Sequence, residues 1–313
     1  FIIDIDDNTA YIKNLKLFNN LIRRREMKTK ENSIFEKHTW FVNFFRIFLI
    51  SLLDIFPATW CRRIFLLCSN ERETRAKTCV LAAKSYKALE AIYTFDKKKA
   101  RGMDYFWGTI LSNSRAIRNR LLLTKQQIKQ AIEEVAAEKD KVSVLSLASG
   151  SSRAVIEVLA ELEKSIRDKT FVKFVDISSE ALDYSRNLAK SYKIDCERLE
   201  WQQASILDSR IWNSSNYDII ELVGILDYFD NKRALKLLKL VYDNLAVGGR
   251  LITCNIMPNI EKPFVTKGLG WPMIYRSPDQ IREIVKQAGF FDVEIIVEPL
   301  QVHTLCIAFK PPG

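Results

Sequence analysis

Val142-Ser-Val-Leu-Ser-Leu-Ala-Ser-Gly-Ser-Ser-Arg-Ala154 decides the fold of this 313-residue chain: an apolar, β-branched run stops in five small residues and an amphipathic run follows. That is the pattern of a strand, a tight turn and a helix. Side chains as small as those of Ala148, Ser149, Gly150, Ser151 and Ser152 let backbone approach a ligand closely. A helix over 153–164 then presents free N–H groups and its positive dipole end to the same place. A nucleotide-like ligand suits such a turn. The next apolar run, Phe171-Val-Lys-Phe-Val-Asp176, ends in a carboxylate 26 residues beyond Gly150, where nucleotide-binding α/β folds set an acid on the ribose hydroxyls. Turn and acid together point to a ribosyl cofactor.

Downstream the rhythm stays strand, helix, strand. Strands are expected over 142–147, 171–175, 198–203, 217–223 and 250–256, with helices over 153–164, 179–192 and 231–245, and Val247-Gly-Gly-Arg250 turns into the fifth strand. Ser277 is the N-cap of a helix that has Pro278 in its first turn and runs to Gly289. Asp292–Glu298 and His303–Phe309 then pair through Pro299-Leu-Gln301 as an antiparallel edge hairpin. The fold expected is α/β: a doubly wound, mostly parallel seven-stranded sheet with an antiparallel edge hairpin, preceded by an all-helical N-terminal cap. The corresponding domains are a polar basic arm over 1–35, a helical cap or substrate region over 36–140 and a cofactor domain over 141–313.

The net charge of +10 is one-sided: residues 1–140 hold 26 Lys+Arg against 16 Asp+Glu, and 141–313 hold 22 against 22. Such an excess suits an acidic substrate, an anionic membrane surface or nucleic acid, and equally a set of solvated helix faces. Residues 39–68 are rich in Phe, Leu, Ile and Trp, but Asn43, Arg46 and Asp54 interrupt the run and Pro57 breaks it, so it does not read as a membrane span. It reads either as a helical lid or as a helix pair lying in a membrane surface with Arg46, Arg62 and Arg63 near lipid phosphates. Residues 72–101 have helix-forming composition up to Gly102, a C-terminal signal. A further helix is expected from Thr124, as N-cap, to Glu138. Six scattered cysteines without a C-x-x-C pair, and two histidines, His38 and His303, support neither a metal site nor a disulfide framework. A reducing cytoplasm is the expected compartment, with peripheral membrane contact through 39–68 as an option. The chain starts at Phe1 with no visible export signal and is expected to be a fragment or processed product.

Residues 141–309 resemble the class I S-adenosylmethionine-dependent methyltransferases. Val144-Leu-Ser-Leu-Ala-Ser-Gly-Ser-Ser-Arg153 stands where that family has its glycine-rich loop, and Asp176 where its acid grips the ribose. Gln203-Ala-Ser-Ile-Leu-Asp208 is similar to the segment covering the adenine. Tyr217–Tyr228 is similar to the fourth strand with its cofactor-side loop, and Tyr242–Ile252 to the helix end and Gly-Gly turn before strand five. The resemblance implies S-adenosylmethionine as cofactor, held by Ser146, Ala148, Ser149, Gly150, Asp176, Ile177, Ala204, Ser205 and Glu221. The loop also departs from the family: Ser146 stands where an acid is usual, and Ala148 and Ser152 stand where glycines are. Loss of the acid removes the usual anchor of the cofactor's methionine amine, for which Glu221 or a backbone carbonyl is the substitute. A catalytically inactive relative, acting as a peripheral membrane or partner-binding module, is the alternative.

Arg115-Ala-Ile-Arg-Asn-Arg120 and Gly224-Ile-Leu-Asp-Tyr-Phe229 are similar to segments of bacterial enzymes like the 3-hydroxypalmitate methyl ester synthases, which implies a fatty-acid carboxylate as acceptor. Arg115, Arg118 and Arg120 are then the candidates to bind it. From the loop Gly268–Arg276, Trp271, Tyr275 and Arg276 are candidates to line the acceptor pocket. A carboxylate needs no base; a hydroxyl does, with Asp227 and Tyr228 as catalytic candidates. Tyr275 and His303 are further candidate bases, although His303 sits in an apolar run and reads as an edge-strand residue. The loop lacks the G-x-G-x-x-G spacing of nicotinamide oxidoreductases, and no Asn-Pro-Pro-Tyr-type motif follows strand four. The expected acceptor is therefore a small or lipid-like molecule rather than nucleic acid.

Overall fold

Strand β1 (Val142–Leu147) lies inside a seven-stranded sheet with β2 (Thr170–Asp176), β3 (Leu199–Gln203), β4 (Tyr217–Leu222), β5 (Leu245–Ile256), β6 (Asp292–Val297) and β7 (His303–Phe309). The structure, a computed structural model, describes residues 34–57, 59–60, 62–63, 66, 75–212 and 216–311. The strand order is β3-β2-β1-β4-β5-β7-β6. Strands β1 to β5 are parallel, and β7 runs antiparallel to both β5 and β6. β4 is buried along its whole length and β1 at all but Ser143. That is why both read as continuous apolar runs rather than alternations. The order reverses between β1 and β4, and in open α/β sheets the crevice beyond the strand ends at such a reversal is where ligands bind.

The longer helices are α1 (Trp40–Ile55), α2 (Arg75–Leu81), α3 (Tyr86–Tyr93), α4 (Ser112–Glu138), α5 (Arg153–Glu161), α6 (Ser179–Ser191), α7 (Asn231–Asn244) and α8 (Pro278–Gln287). On one face, Leu237, Leu238 and Val241 of α7 and Ile281 and Val285 of α8 pack on β4, β5 and β7. α4 crosses β1, β4, β5 and β7. Ser277 and Gln280 form a reciprocal capping box at α8, with Pro278 in the first turn, as expected from the sequence. The chain divides into two units, Phe1–Lys37 and His38–Gly313. Residues 1–33 of the expected basic arm, and much of 58–74, lie outside the described residues.

Three expectations are corrected. α4 begins at Ser112, not at Thr124, which is buried in mid-helix. The cap of α4 is not local: Glu261, fully buried, accepts the Ser112 and Asn113 backbone N–H groups at 2.6 and 2.9 Å and Arg46 Nη1 at 2.8 Å. Residues 75–101 are not one helix: α2 and α3 are separate, and Gly102 opens a short helix at φ 51° instead of ending a long one. Val247–Arg250 is not a turn ahead of β5 but lies within it. Tyr217 pairs with Leu245 and Ile219 with Arg250, so the intervening residues bulge out. The bulge is closed by Gly248 N–H donating to Lys310 O at 3.1 Å.

α1 buries Ile50 against Trp107, Leu269 and Trp271. Its other side carries Trp40, Phe41, Phe44, Phe48 and Ile55, all exposed. Among the described residues no helix is long and apolar enough to cross a membrane.

Candidate functional site

The loop after β1 takes its shape from three left-handed residues in alternation: Ala148 (φ 49°), Gly150 (φ 52°) and Ser152 (φ 54°). These are the position that is glycine and the two where the sequence departs from glycine. Ala and Ser hold the left-handed conformation at a cost of roughly 1–2 kcal/mol each. Such strain persists only where the surroundings enforce it. They do so here, since Ser149 N–H donates to Val175 O at 3.0 Å and Gly150 N–H to Asp176 Oδ2 at 2.8 Å. The second Asp176 oxygen accepts Ser178 N–H at 2.8 Å. The acid ending β2 thus fastens the β1 loop while standing in the wall of the cleft.

A cavity of ≈ 710 Å³ opens at the β1–β4 reversal, large enough for a drug-sized ligand. Ala148, Gly150, Asp176, Ile177, Ala204 and Ser205 line one end of it; Asp227, Tyr228, Trp271, Met273, Ile256 and His303 line the other. A smaller cavity of ≈ 60 Å³ adjoins the β1 loop, bounded by Ser149, Glu221, Tyr93 and Arg120. Arg120 borders both. Ser146 and Glu221 are register partners on β1 and β4, and Ser146 Oγ donates to Glu221 Oε2 at 2.5 Å. A carboxylate therefore lies beside position 146 although the residue there is a serine.

The remaining candidates are elsewhere. Arg115 donates to His38 Nδ1 at 2.7 Å and Thr109 O at 3.1 Å. Arg118 donates to Gly108 O at 2.5 Å and stacks on Phe95. Both brace the π-helical turn Phe106–Ile110, where the Phe95 ring leaves no room for a side chain at Gly108. Arg276 donates to Leu226 O and Asn255 Oδ1 at 2.9 and 2.8 Å and to Phe229 O, so it clamps the turn carrying Asp227 and Tyr228 without lining the cavity. Tyr275 packs beside Ala116, Ile256 and Val302, also outside the lining. Conversely, His303, which reads as a plain edge-strand residue, faces the cavity. Its position at the first residue of β7, just past the turn, was the available signal. Among the described residues no cluster of three or more His, Cys, Asp or Glu is arranged to hold a metal.

Burial governs the ionisation of the polar groups. It pushes the Glu221 carboxyl up to about 7, against the hydrogen bond from Ser146, and that of Asp227 up to about 6, against the Ile256 N–H. Burial with the neighbouring Arg120 charge holds His303 well below its ordinary value, so its ring is neutral. A carboxyl raised in the folded state stabilises that state below its unfolded pKa near 4.5 and loses this contribution as pH rises through about 7. The Glu221→Gln protein is therefore expected to gain melting temperature relative to wild type between about pH 5 and about pH 8. A difference that stays constant across that range would contradict the shift.

The strand order, the antiparallel β7 and the cleft at the β1–β4 reversal define the fold of the class I S-adenosylmethionine-dependent methyltransferases. Residues 109–310 match the family described as "Putative methyltransferase", and the chain belongs to that family. No curated protein matches it. Among solved structures, a candidate exported protein of Bordetella parapertussis is similar at 16% identity with a TM-score of 0.62, covering 81% of this chain and 94% of its own. The S-adenosylmethionine-dependent methyltransferase SibL, in its apo form, is similar at 16% identity with a TM-score of 0.51, covering 80% and 74%. At these identities the likeness is one of fold.

Proposed function

We propose that the protein uses S-adenosylmethionine to methylate an oxygen of a small, apolar or lipid-like acceptor. The observation that carries this reading is one continuous cavity with an acid and small residues at one end and an apolar, sparsely polar pocket at the other. When bound, the cofactor supplies a methyl group on a sulfonium sulfur, ready for in-line transfer to a nucleophile. The protein's part is alignment and exclusion of water. Asp176 accepts the ribose hydroxyls, and Ile177, Ala204 and Ser205 flank the adenine. The zwitterionic end fits the small cavity, with Glu221 meeting the ammonium and Arg120 the carboxylate. Arg120 is 5% exposed and its Nε has no partner among the described residues, as a guanidinium awaiting an anion would be. This moves Arg120 from the acceptor to the cofactor.

The acceptor end is walled by Leu269, Trp271, Met273 and Ile117, which suits an apolar body. The exposed aromatic face of α1, with Arg62 and Arg63 exposed and a basic excess upstream, fits the surface of an anionic bilayer from which such a molecule would be drawn. The test is transfer of label from methyl-tritiated S-adenosylmethionine to a lipid extract, with and without phosphatidylglycerol vesicles. Labelled, organic-soluble product and sedimentation of the protein with the vesicles are expected. Sedimentation without product would favour the inactive, membrane-binding alternative.

A further inference from the structure

The acceptor end of the cavity holds a polar pair with unmet hydrogen-bonding capacity. His303 is 3% exposed and lines the cavity, and among the described residues neither Nδ1 nor Nε2 has a hydrogen-bond partner. A neutral imidazole carries one donor and one acceptor. Burying both unpaired is costly at a strand position where Leu or Val would pack without penalty. The backbone that carries the ring is fixed by the hairpin turn. Glu298, buried at the hairpin turn, accepts Leu300 and Val302 N–H at 2.8 and 2.7 Å and Asn119 Nδ2 at 3.0 Å, and its own N–H donates to His303 O at 3.1 Å. Asp227 lines the same cavity. Its Oδ1 accepts the N–H of Ile256, the register partner of His303, at 2.7 Å, and Arg276 pins its turn. Its Oδ2 receives no hydrogen bond among the described residues.

We infer that His303 and Asp227 together form the subsite for the acceptor's reacting oxygen, and that this oxygen belongs to an un-ionised hydroxyl, alcohol or phenol, on an apolar body. The inference rests on the methyltransferase reading above and narrows its substrate class. A hydroxyl accepts one hydrogen bond and donates one. The His303 N–H supplies the first and the Asp227 carboxylate receives the second, which leaves a lone pair on the oxygen free to face the methyl group. With burial keeping the imidazole uncharged, and Asp227 ionised above about pH 6, the pair carries one negative charge. A carboxylate acceptor would set a second anion against it in a buried space, where like charges are strongly disfavoured. The Arg120 guanidinium acts on both groups, but in this reading it is engaged by the cofactor.

The test uses two probes with one apolar body, 4-octylphenol and 4-octylbenzoate, titrated by calorimetry into the full chain saturated with S-adenosylhomocysteine. The phenol is expected to bind about ten-fold or more tightly than the benzoate. In His303→Leu this preference should fall to within about three-fold, and His303→Gln, which keeps a donor and an acceptor, should restore part of it. Undiminished S-adenosylhomocysteine binding by His303→Leu shows that the variant is folded. Equal or tighter binding of the benzoate, no binding of either probe, or an undiminished preference in His303→Leu would overturn the assignment. Failure of the wild-type protein to bind S-adenosylhomocysteine would instead remove the methyltransferase reading beneath it.

Discussion

The Asp176→Ala protein is expected to bind S-adenosylhomocysteine roughly 30- to 160-fold more weakly than wild type by calorimetry, a loss of roughly 2–3 kcal/mol, the range for hydrogen bonds to a charged group. The magnitude has two sources. The carboxylate has lone pairs left for the ribose hydroxyls after accepting the Gly150 and Ser178 N–H groups, each at 2.8 Å. Without it, the loop of left-handed residues at 148, 150 and 152 also loses the acceptor that holds Gly150 N–H in place. Asp176→Asn, which keeps one acceptor oxygen, should fall between the two. Unchanged affinity in Asp176→Ala would refute the ribose role.

Glu261→Ala should be the most destabilising single change outside the cleft, by roughly 3–5 kcal/mol, because it removes one partner of a buried ion pair and leaves the other uncompensated. Glu261 is 0% exposed and takes bonds from Arg46 Nη1, the Ser112 and Asn113 N–H groups and Asn113 Nδ2. Its loss leaves the Arg46 charge on α1 without a carboxylate and the amino terminus of α4 without a cap. Since α4 carries Arg120 and crosses four strands, the effect should be global. The midpoint of thermal unfolding should drop by roughly 10 °C. A change within two degrees would show that the cap and the pair contribute little.

The sheet and the β1-loop end of the cleft were legible because their signals are local. β1, its small-residue turn and the acid ending β2 lie within one strand-turn-helix-strand unit, and the structure keeps glycine-like geometry at Ala148 and Ser152 without the glycines. The opposite end was less legible because its determinants act across the chain. Thr124 looks like an N-cap only if the true cap, Glu261, is out of sight, 149 residues beyond Ser112. Arg115 and Arg118 look free until the carbonyls of Thr109 and Gly108 are placed beneath them. Arg276 looks like a pocket residue until its partners at Leu226, Phe229 and Asn255 appear. His303 misled in the opposite direction: its neighbours in sequence are those of a packed strand, and only the fold shows that the ring ends in a cavity with no hydrogen-bond partner among the described residues.

Calorimetric titration of the wild-type chain with S-adenosylhomocysteine, beside NADH as a comparison nucleotide, tests the central claim most directly. One-to-one, saturable binding of S-adenosylhomocysteine and none of NADH is the predicted result. No heat with S-adenosylhomocysteine, or tighter binding of NADH, would contradict it.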